Sequence, residues 1–352
     1  MIKVLINDSG QRHQKIIEKS LEKEGYTILK EKISESNIRQ ILQKLRPTVL
    51  LPITIEDFKL FSKIKKDILK LGTKILIADY NTWFQYYDKY LCLNLVSKAN
   101  IPYPKSVRIF SSQEIKDAIK KYKLNFPIVI KYPQEGGSRF VKFAYSLSQA
   151  IDIINEFTKN GANIKSIGVL VQEYIEGQSC GYFALAIDGN IIAEFGHIRT
   201  RENPPWGGVS CVCESFYSEK MFNYGRKLIN IKKYTGVCMI EFKKTKDEEF
   251  YWIETNPKFW GSILLPIVCG VNFPVLYVKL ALGENITPKL GNSFKKLKIQ
   301  YLLCDIKRAI KYRKLDIIKV IIDFINPKVK KDIFYLGVKD YFLFYINKIF
   351  KS

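Results

Sequence analysis

Two oxygen-bearing side chains stand close together in the segment Tyr251–Ser262 (YWIETNPKFWGS), which predicts a short strand followed by a turn and a helix start. Because side chains alternate along a strand, Glu254 and Asn256 fall on the same face. The upstream run Gly236–Lys244 predicts a second strand, which carries Glu241 and is joined to the first by a short polar turn. Two carboxylates and an amide oxygen would then converge, a ligand set that suits Mg²⁺ when substrate phosphates complete its shell. The alternative is an edge hairpin whose charged side chains face water.

A lysine ends the apolar segment Phe126–Lys131 (FPIVIK), which predicts a buried strand. An ammonium group in that position is costly to bury unless an anion faces it, and a phosphate oxygen is the partner that we infer for Lys131. The residues that follow, QEGGSR, include Gly136 and Gly137. Glycines tolerate positive φ and lack a Cβ, so backbone N–H groups there can approach anionic oxygens. The pattern indicates a phosphate-binding segment; the alternative is an ordinary hairpin, many of which carry two glycines.

A further strand, Gly168–Tyr174, runs into the segment Ile175–Gly177. Where a strand leaves its sheet, one carbonyl and one amide lose their ladder partners. Those two groups can pair with the edge of an adenine ring. The segment is therefore a candidate hinge for a purine nucleotide.

The stretch HIRTRENPPWGGVS combines two arginines with paired prolines and paired glycines. The planar guanidinium groups of Arg199 and Arg201 suit carboxylate or phosphate oxygens, and a loop rich in proline and glycine can form a lid. The alternative is an exposed loop in which the arginines pair with Glu202 and Glu214.

Taken in chain order, these segments resemble the ATP-grasp superfamily and its carbamoyl-phosphate-synthetase-like ATP-binding fold. Glu-Xaa-Asn-Pro followed by a cation resembles the metal-binding end of that family, and the upstream segments resemble its phosphate-binding lysine strand, mobile phosphate loop and adenine hinge. The resemblance covers residues 70–285. It implies ATP and Mg²⁺ (or Mn²⁺) as cofactors. It also implies an ADP-producing ligase that activates a carboxylate as an acyl phosphate and joins it to an amine-type nucleophile.

The resemblance implies a role for individual residues as well. The nucleotide contacts fall on Lys89, Lys131, Gly136, Gly137, Ser138, Gln172, Glu173, Tyr174, Ile175 and Ser179. The metal ligands fall on Glu241, Glu254 and Asn256, and the catalytic cations on Lys258, Arg199 and Arg201. Lys258 stands where the family usually carries arginine after Asn-Pro, and Glu176 stands where it often has proline before the glycine.

The order of elements predicts an α/β and α+β fold in three parts. Residues 1–98 alternate apolar runs, the last of them Lys74–Ala78, with amphipathic stretches, which implies a parallel sheet with helices on its faces. A single amphipathic helix, Asn81–Ala99, ends this part; its Asp88-Lys89 pair resembles a family pair that reaches nucleotide phosphates, or is a surface charge pair. Residues 99–290 would form a two-lobed ATP-grasp domain, and residues 291–352 a basic helical appendage.

Composition limits the classes of function. A formal net charge of +23 favours anionic partners, although a lysine-rich solvated surface also explains it. The seven cysteines are scattered among apolar residues, which indicates reduced core thiols, and the two histidines leave no Ser-His-Asp or Cys-His arrangement. The opening MIKVLINDSG lacks the apolar core of a signal peptide, which predicts a cytoplasmic protein.

The segment Gly291–Ser352 holds fifteen Lys/Arg residues against five Asp/Glu residues. We expect a basic amphipathic helical appendage that packs on the body or rests on an anionic membrane, and that is dispensable for ATP binding. Nucleic acid is not an expected partner. The competing functional hypothesis is a catalytically impaired nucleotide-binding protein that is membrane-peripheral or polyanion-binding.

Overall fold

The computed structural model describes residues 1–134 and 140–342. The chain divides into two compact units that do not follow chain order. The first unit comprises Met1–Phe84, Cys180–Met239 and Pro257–Ser352, and the second comprises Gln85–Ser179 and Ile240–Asn256. The division of the sequence into three consecutive domains stays a prediction.

The described residues mix strands and helices throughout, which confirms the α/β and α+β class. The strands are β1 (Lys3–Asn7), β2 (Thr27–Glu31), β3 (Val49–Leu51), β4 (Ser106–Ile109), β5 (Ile128–Lys131), β6 (Val141–Ala144), β7 (Val169–Glu173), β8 (Gln178–Ile187), β9 (Asn190–Asn203), β10 (Val209–Ser215), β11 (Gly236–Lys244), β12 (Phe250–Asn256), β13 (Lys298–Gln300) and β14 (Val329–Lys331). The helices are α1 (Arg12–Lys23), α2 (Ile38–Leu45), α3 (Ile55–Lys63), α4 (Lys65–Lys70), α5 (Tyr80–Tyr87), α6 (Lys89–Lys98), α7 (Ile115–Tyr122), α8 (Leu147–Lys159), α9 (Ile164–Ile167), α10 (Glu219–Asn230), α11 (Leu264–Val268), α12 (Phe273–Leu282), α13 (Leu302–Tyr312), α14 (Ile317–Ile325) and α15 (Asp332–Leu336).

The first unit opens with a parallel three-stranded sheet in the order β2-β1-β3, as the βαβ rhythm predicts. The apolar run Lys74–Ala78 forms no fourth strand, and only an isolated bridge joins Lys74 to Val49. The reason is that side chains bind this backbone: the Leu76 amide donates to the Tyr277 hydroxyl at 3.0 Å, and the Ile77 carbonyl accepts from Lys65 at 2.6 Å.

The predicted single helix over Asn81–Ala99 is wrong, because the chain forms α5 and α6 with a break at Asp88. Asp88 has extended backbone angles, and its carboxylate accepts from the amides of Tyr90 and Leu91 at 3.0 and 3.1 Å. An aspartate that caps the orphan N–H groups of a helix start stabilises a new helix rather than continuing the old one. The break sets Lys89 at the first position of α6.

A second run of strands in the first unit follows the order β8-β9-β10-β13-β14. The β8–β9 hairpin closes at Asp188 and Gly189, both with positive φ, the backbone conformation that an Asp-Gly hairpin turn requires. The last two strands come from the basic C-terminal segment: β13 pairs antiparallel with β10, and β14 pairs parallel with β13. The described part of this segment thus forms helices α13, α14 and α15 as well as two strands of the sheet. That the segment is dispensable for ATP binding stays a prediction.

The second unit contains the antiparallel sheet β4-β7-β5-β6. Helices α7 and α8 cover it with an apolar core that includes Ile130, Phe157 and Val171. The hairpin strands β11 and β12, most of whose residues lie in this unit, carry the predicted metal ligands.

The long uncharged run Phe259–Val278 contains helix α11 and the first part of helix α12. In the part of the chain that the structure describes, no helix has the length and apolar character that crossing a membrane requires.

Candidate functional site

The β11–β12 hairpin brings the three predicted metal ligands together. The Asn256 amide nitrogen donates to one oxygen of Glu254 at 3.0 Å and to one oxygen of Glu241 at 3.2 Å. The turn between the strands closes through the Thr245 amide, which donates to the Glu249 carbonyl at 2.9 Å. Two carboxylates therefore converge on one amide group, as alternation along the two strands predicts.

The opposite side of β12 is anchored in the second unit. The Thr255 hydroxyl accepts from the buried Trp252 indole at 2.9 Å and from the Cys92 thiol of α6 at 3.3 Å. These buried contacts fix the strand and so fix the direction in which Glu254 and Asn256 point. A rigid strand is a precise support for a ligand set.

A buried lysine faces this hairpin from the start of α6. The Lys89 ammonium lies 3.6 Å from a Glu254 oxygen, and the lysine is only 4% exposed. The Lys89 amide donates to the Pro133 carbonyl at 3.1 Å, and the Gln134 side chain donates to Asp88 at 2.9 Å, which ties α6 to the chain that follows β5. Asp88 and Lys89 are therefore not a surface charge pair.

A second buried lysine, Lys131, ends β5 as the sequence predicts, and it is 5% exposed. Burial lowers the pKa of Lys131 from 10.5 to about 8, because water no longer solvates the charged ammonium. The carboxylate of Glu254 opposes this shift, the charge of Lys89 adds to it, and Glu241 and Lys243 act more weakly in opposite senses. The two lysines and two carboxylates therefore form one electrostatic cluster within the second unit.

Strand β7 ends at Glu173, and Tyr174–Glu176 have no regular structure, which confirms the predicted departure from the sheet. The Gln172 side chain donates to the Ser106 hydroxyl at 2.7 Å, and its buried Oε1 has no hydrogen-bond partner among the described residues. Gly177 is required for packing, since a Cβ there would lie 2.4 Å from the Lys244 carbonyl. The last predicted nucleotide contact, Ser179, is buried on β8.

The predicted phosphate-loop residues Gly136, Gly137 and Ser138 lie outside the described residues. The chain on either side is held together, because the Tyr132 amide donates to the Phe140 carbonyl at 3.0 Å and β5 pairs with β6.

The predicted lid arginines lie on strand β9 of the first unit, and the loop between β9 and β10 is short. The Arg201 guanidinium group donates hydrogen bonds to both oxygens of Asp305 at 2.6 to 3.1 Å and to one oxygen of Asp323 at 2.6 Å. Arg199 donates to Glu202 at 3.2 Å and to the Gly208 carbonyl at 2.9 Å. The Arg201 fork is thus filled by carboxylates of the C-terminal segment, which sequence reasoning did not identify.

Lys258 also lies in the first unit, two residues after Asn256, and its ammonium donates to the Phe259 carbonyl at 3.1 Å. The pKa of His13 falls to about 3, first because the ring is buried and then because of the charges of Lys258 and Arg12. His197 is buried, and its pKa lies well below the usual value for the same first reason, with Arg199 adding to it. Both imidazoles are therefore neutral at pH 7.

Several buried polar atoms of the first unit have no hydrogen-bond partner among the described residues. They include His13 Nε2, both ring nitrogens of His197, Trp260 Nε1, Gln300 Oε1 and the Tyr301 hydroxyl. The Phe183 ring connects two of them, packing on His197 at 4.7 Å and on Trp260 at 4.5 Å. Buried polar atoms without partners are rare in proteins and mark places where water or a ligand binds. Only the scarcity of histidine in this chain could have drawn attention to His13 and His197.

Other metal chemistry has little support in the described ranges. Within 1–134 and 140–342 there is no group of three or more His, Cys, Asp or Glu side chains placed to hold a metal ion. None of the seven cysteines, all of which lie in the described ranges, forms a disulfide bond.

Two family models match the chain. The RimK-like ATP-grasp domain matches residues 86–214, and the model described as ATP-grasp in the biosynthetic pathway with Ter operon matches residues 166–303. Both describe the ATP-grasp class of protein, and together they run through the second unit and much of the first. The chain belongs to the ATP-grasp superfamily, which confirms the resemblance in its motifs.

Curated relatives are distant. The chain is 23% identical to the carbamoyl phosphate synthase large chain of Agathobacter rectalis over 235 residues, which is 64% of this chain and 21% of that protein. It is 24% identical to the biotin carboxylase of Nostoc sp. over 208 residues, covering 56% of this chain and 46% of the relative. The chain thus spans about a fifth of the carbamoyl phosphate synthase chains that it matches.

Solved structures show the same fold at low sequence identity. The biotin carboxylase domain of the Hydrogenobacter thermophilus 2-oxoglutarate carboxylase, crystallised with MgADP and bicarbonate, superposes with a TM-score of 0.67 at 15% identity, covering 84% of this chain and 72% of that one. The L-amino acid ligase of Bacillus licheniformis superposes with a TM-score of 0.62 at 14% identity, covering 81% and 75%.

Proposed function

We propose that this protein is an ATP-dependent ligase that phosphorylates a carboxylate with Mg-ATP and joins the resulting acyl phosphate to an amine-type nucleophile, releasing ADP. The observation that carries the proposal is the cluster in the second unit, where buried Lys89 and Lys131 accompany Glu254, Glu241 and Asn256. Phosphoryl transfer needs positioning and charge neutralisation more than covalent help from the protein. Cations for phosphate oxygens and oxygen ligands for a metal are the parts that such a reaction requires.

Glu241, Glu254 and Asn256 would hold Mg²⁺ or Mn²⁺. The Asn256 amide nitrogen now bridges the two carboxylates at 3.0 and 3.2 Å, so the site already favours positive charge between them. Rotating the amide by half a turn would exchange its nitrogen for its oxygen and complete a set of three oxygen ligands. A metal bound there supplies charge neutralisation for the phosphate oxygens of ATP.

The nucleotide would extend from this cluster along the sheet of the second unit. Lys89 and Lys131 would pair with phosphate oxygens, and Gly136, Gly137 and Ser138 would contribute the phosphate loop. The adenine ring would be recognised by the backbone of Glu173 and Ile175 beside Tyr174, with Ser179 near the ribose. The unpartnered Oε1 of Gln172 supports this assignment, since it can accept a hydrogen bond from an amino group of the base.

The acceptor side of the reaction would use groups of the first unit. Lys258 would neutralise charge on the transferring phosphoryl group as a point charge, in the place of the family's arginine. Arg199 would bind a substrate oxygen, whereas the filled fork of Arg201 favours a structural role. The unpartnered groups of His13, His197 and Trp260 would bind polar groups of the acceptor.

The competing function is nucleotide binding without ligation. Two observations favour this competing function. Position 258 is a lysine rather than an arginine, and the guanidinium group of Arg201 already binds carboxylates, so neither residue offers a free bidentate guanidinium group to the reaction. Release of ADP with amino acids, amino sugars and carboxylates separates the two functions. A working ligase releases ADP only when both substrates are present, and a binding protein releases none with any of them.

Mg-ATP is expected to stabilise the protein. A ligand that binds only the folded state adds about 2.7 kcal/mol when its concentration is a hundred times its dissociation constant. The measurement is the melting temperature at millimolar Mg-ATP, compared with ATP plus excess chelator and with Mg²⁺ alone. A melting temperature that does not change when Mg-ATP is added would contradict the proposed site.

ATP affinity is expected to fall as the pH rises through about 8, because Lys131 loses its proton there and a neutral amine cannot pair with phosphate. At most, the dissociation constant rises about tenfold per pH unit beyond that point, since one proton must be taken up on binding. The stability of the protein without nucleotide should change in the opposite direction. Its free energy of unfolding rises between pH 8 and 10.5, because Lys131 binds a proton in the unfolded chain that it has released in the folded one.

Titrations of ATP from pH 7 to 9 test this dependence. The variant Lys131→Arg keeps its charge over the whole range and should give a flat profile, and Lys142→Arg, on the neighbouring strand β6, is the matched control. Equal slopes for wild type and Lys131→Arg would show that Lys131 does not contact the nucleotide.

A further inference from the structure

Helix α14 exposes a stripe of isoleucines. Ile318, Ile321, Ile322 and Ile325 are 60%, 55%, 53% and 70% exposed, and Ile317 is 37% exposed. Their spacing places all five on one side of the helix, since residues three and four apart neighbour each other on a helix surface. The inward side carries Val320 and Asp323, which are buried.

The apolar surface extends beyond the helix. Leu315, just before α14, is 87% exposed, and Ile310 of α13 is 61% exposed. Phe334 of α15 is also 61% exposed, and its ring packs on Phe324 at 6.2 Å between centroids. We call the exposed residues Ile310, Leu315, Ile317, Ile318, Ile321, Ile322, Phe324, Ile325 and Phe334 the apolar patch. Contiguous exposed apolar surface of this kind marks an interaction site.

Within residues 302–336, which contain the apolar patch, the exposed charges have one sign. All four carboxylates of residues 302–336 form ion pairs. Asp305 pairs with Arg201 and Arg308, and Asp316 pairs with Arg308 and Lys319. Asp323 pairs with Arg201 and Lys298, and Asp332 pairs with Arg12. None of them is exposed. The exposed charges of the same stretch are cationic, at Lys307, Lys311, Arg313, Lys314, Lys319, Lys328 and Lys330.

We propose that the apolar patch docks on the surface of an anionic lipid bilayer. Apolar side chains ringed by lysines match such a surface, because the side chains enter the boundary between headgroups and acyl chains while the cations meet anionic headgroups. A second copy of this chain fits the patch poorly, since its lysines would meet lysines, and lysine is depleted from protein interfaces. The net charge of +23 acts in the same direction over longer distances.

Co-sedimentation with vesicles tests the proposal. Wild type should bind vesicles of phosphatidylcholine with phosphatidylglycerol, bind pure phosphatidylcholine at least about tenfold more weakly, and lose binding at high salt. The double variant Ile318→Ser/Ile322→Ser should bind the anionic vesicles about tenfold or more weakly, because two side chains no longer enter the bilayer. Leu69→Ser, which changes an apolar residue 47% exposed on α4, is the matched control and should bind as wild type does.

Two results would overturn the proposal. One is equal binding of wild type and the double variant to anionic vesicles. The other is a failure of wild type to bind anionic vesicles. If sedimentation velocity then shows a dimer that the double variant abolishes, the patch belongs to an interface with a second copy. Melting temperatures show that the variants fold, and the assay uses no nucleotide, so its outcome is independent of the proposed ligase activity.

Discussion

Changing Glu254 to glutamine is expected to lower ligase turnover by about a hundredfold or more while the fold survives. The substitution keeps the shape of the side chain but removes one negative charge from the proposed metal site. It also removes the ionic partner of Lys89, whose ammonium lies 3.6 Å from a Glu254 oxygen. Both losses fall on the step in which charge develops on the phosphate, so turnover should suffer more than ATP binding.

The measurement is ADP release with the best substrate pair found by screening, together with the melting temperature of each variant. Glu248→Gln is the matched control, because this glutamate lies in the turn of the same hairpin, its side chain is 72% exposed, and it pairs with Lys244 at 2.6 Å. Near-normal turnover of Glu254→Gln would mean that the metal binds elsewhere.

Changing Asp305 to alanine is expected to destabilise the first unit by about 3–5 kcal/mol, the usual effect of removing one partner from a buried ion pair. Asp305 is fully buried and accepts hydrogen bonds from Arg201, Arg308 and the Gln300 side chain. Alanine would leave two largely buried guanidinium groups with fewer anionic partners, and the desolvation cost of those charges would no longer be offset.

Urea unfolding of wild type and variant measures this effect. Asp67→Ala is the control, because the Asp67–Arg39 pair is as short, at 2.7 Å, but exposed, and exposed pairs contribute about 0–1 kcal/mol. If Asp305→Ala unfolds at the wild-type urea concentration, the C-terminal segment does not hold strand β9 in the way that the contacts indicate. The experiment also tests whether residues 291–352 can be removed, since deleting them would remove Asp305 and Asp323 together.

The ligand set on the β11–β12 hairpin is predictable from the sequence because its geometry is local. Strand alternation puts Glu254 and Asn256 on one side, and a short polar turn brings Glu241 beside them. The same reasoning holds for Lys131 at the end of β5 and for the Asp188-Gly189 turn. Each of these features depends on residues fewer than about twenty positions apart, within the reach of a hairpin or a single strand.

Sequence patterns give a wrong prediction where helical periodicity and a helix-capping residue occur in the same segment. The stretch from Asn81 to Ala99 has helical spacing throughout, and periodicity alone predicts one helix. Asp88 starts a second helix instead, because its carboxylate satisfies two backbone N–H groups and its neighbours are held by the chain after β5. That break is what buries Lys89 beside Glu254.

Only the tertiary structure determines the partners of the arginines and the place of the C-terminal segment. Arg201 binds carboxylates 104 and 122 residues further along the chain, and β13 pairs with β10 across a similar separation. The sequence by itself identifies the ATP-grasp family, the hairpin ligands and a basic, apolar C-terminal segment. It does not show that this segment turns its carboxylates inward and its isoleucines outward. Charge and hydrophobicity are properties of each residue, whereas which side of a helix is covered depends on what the rest of the chain packs against it.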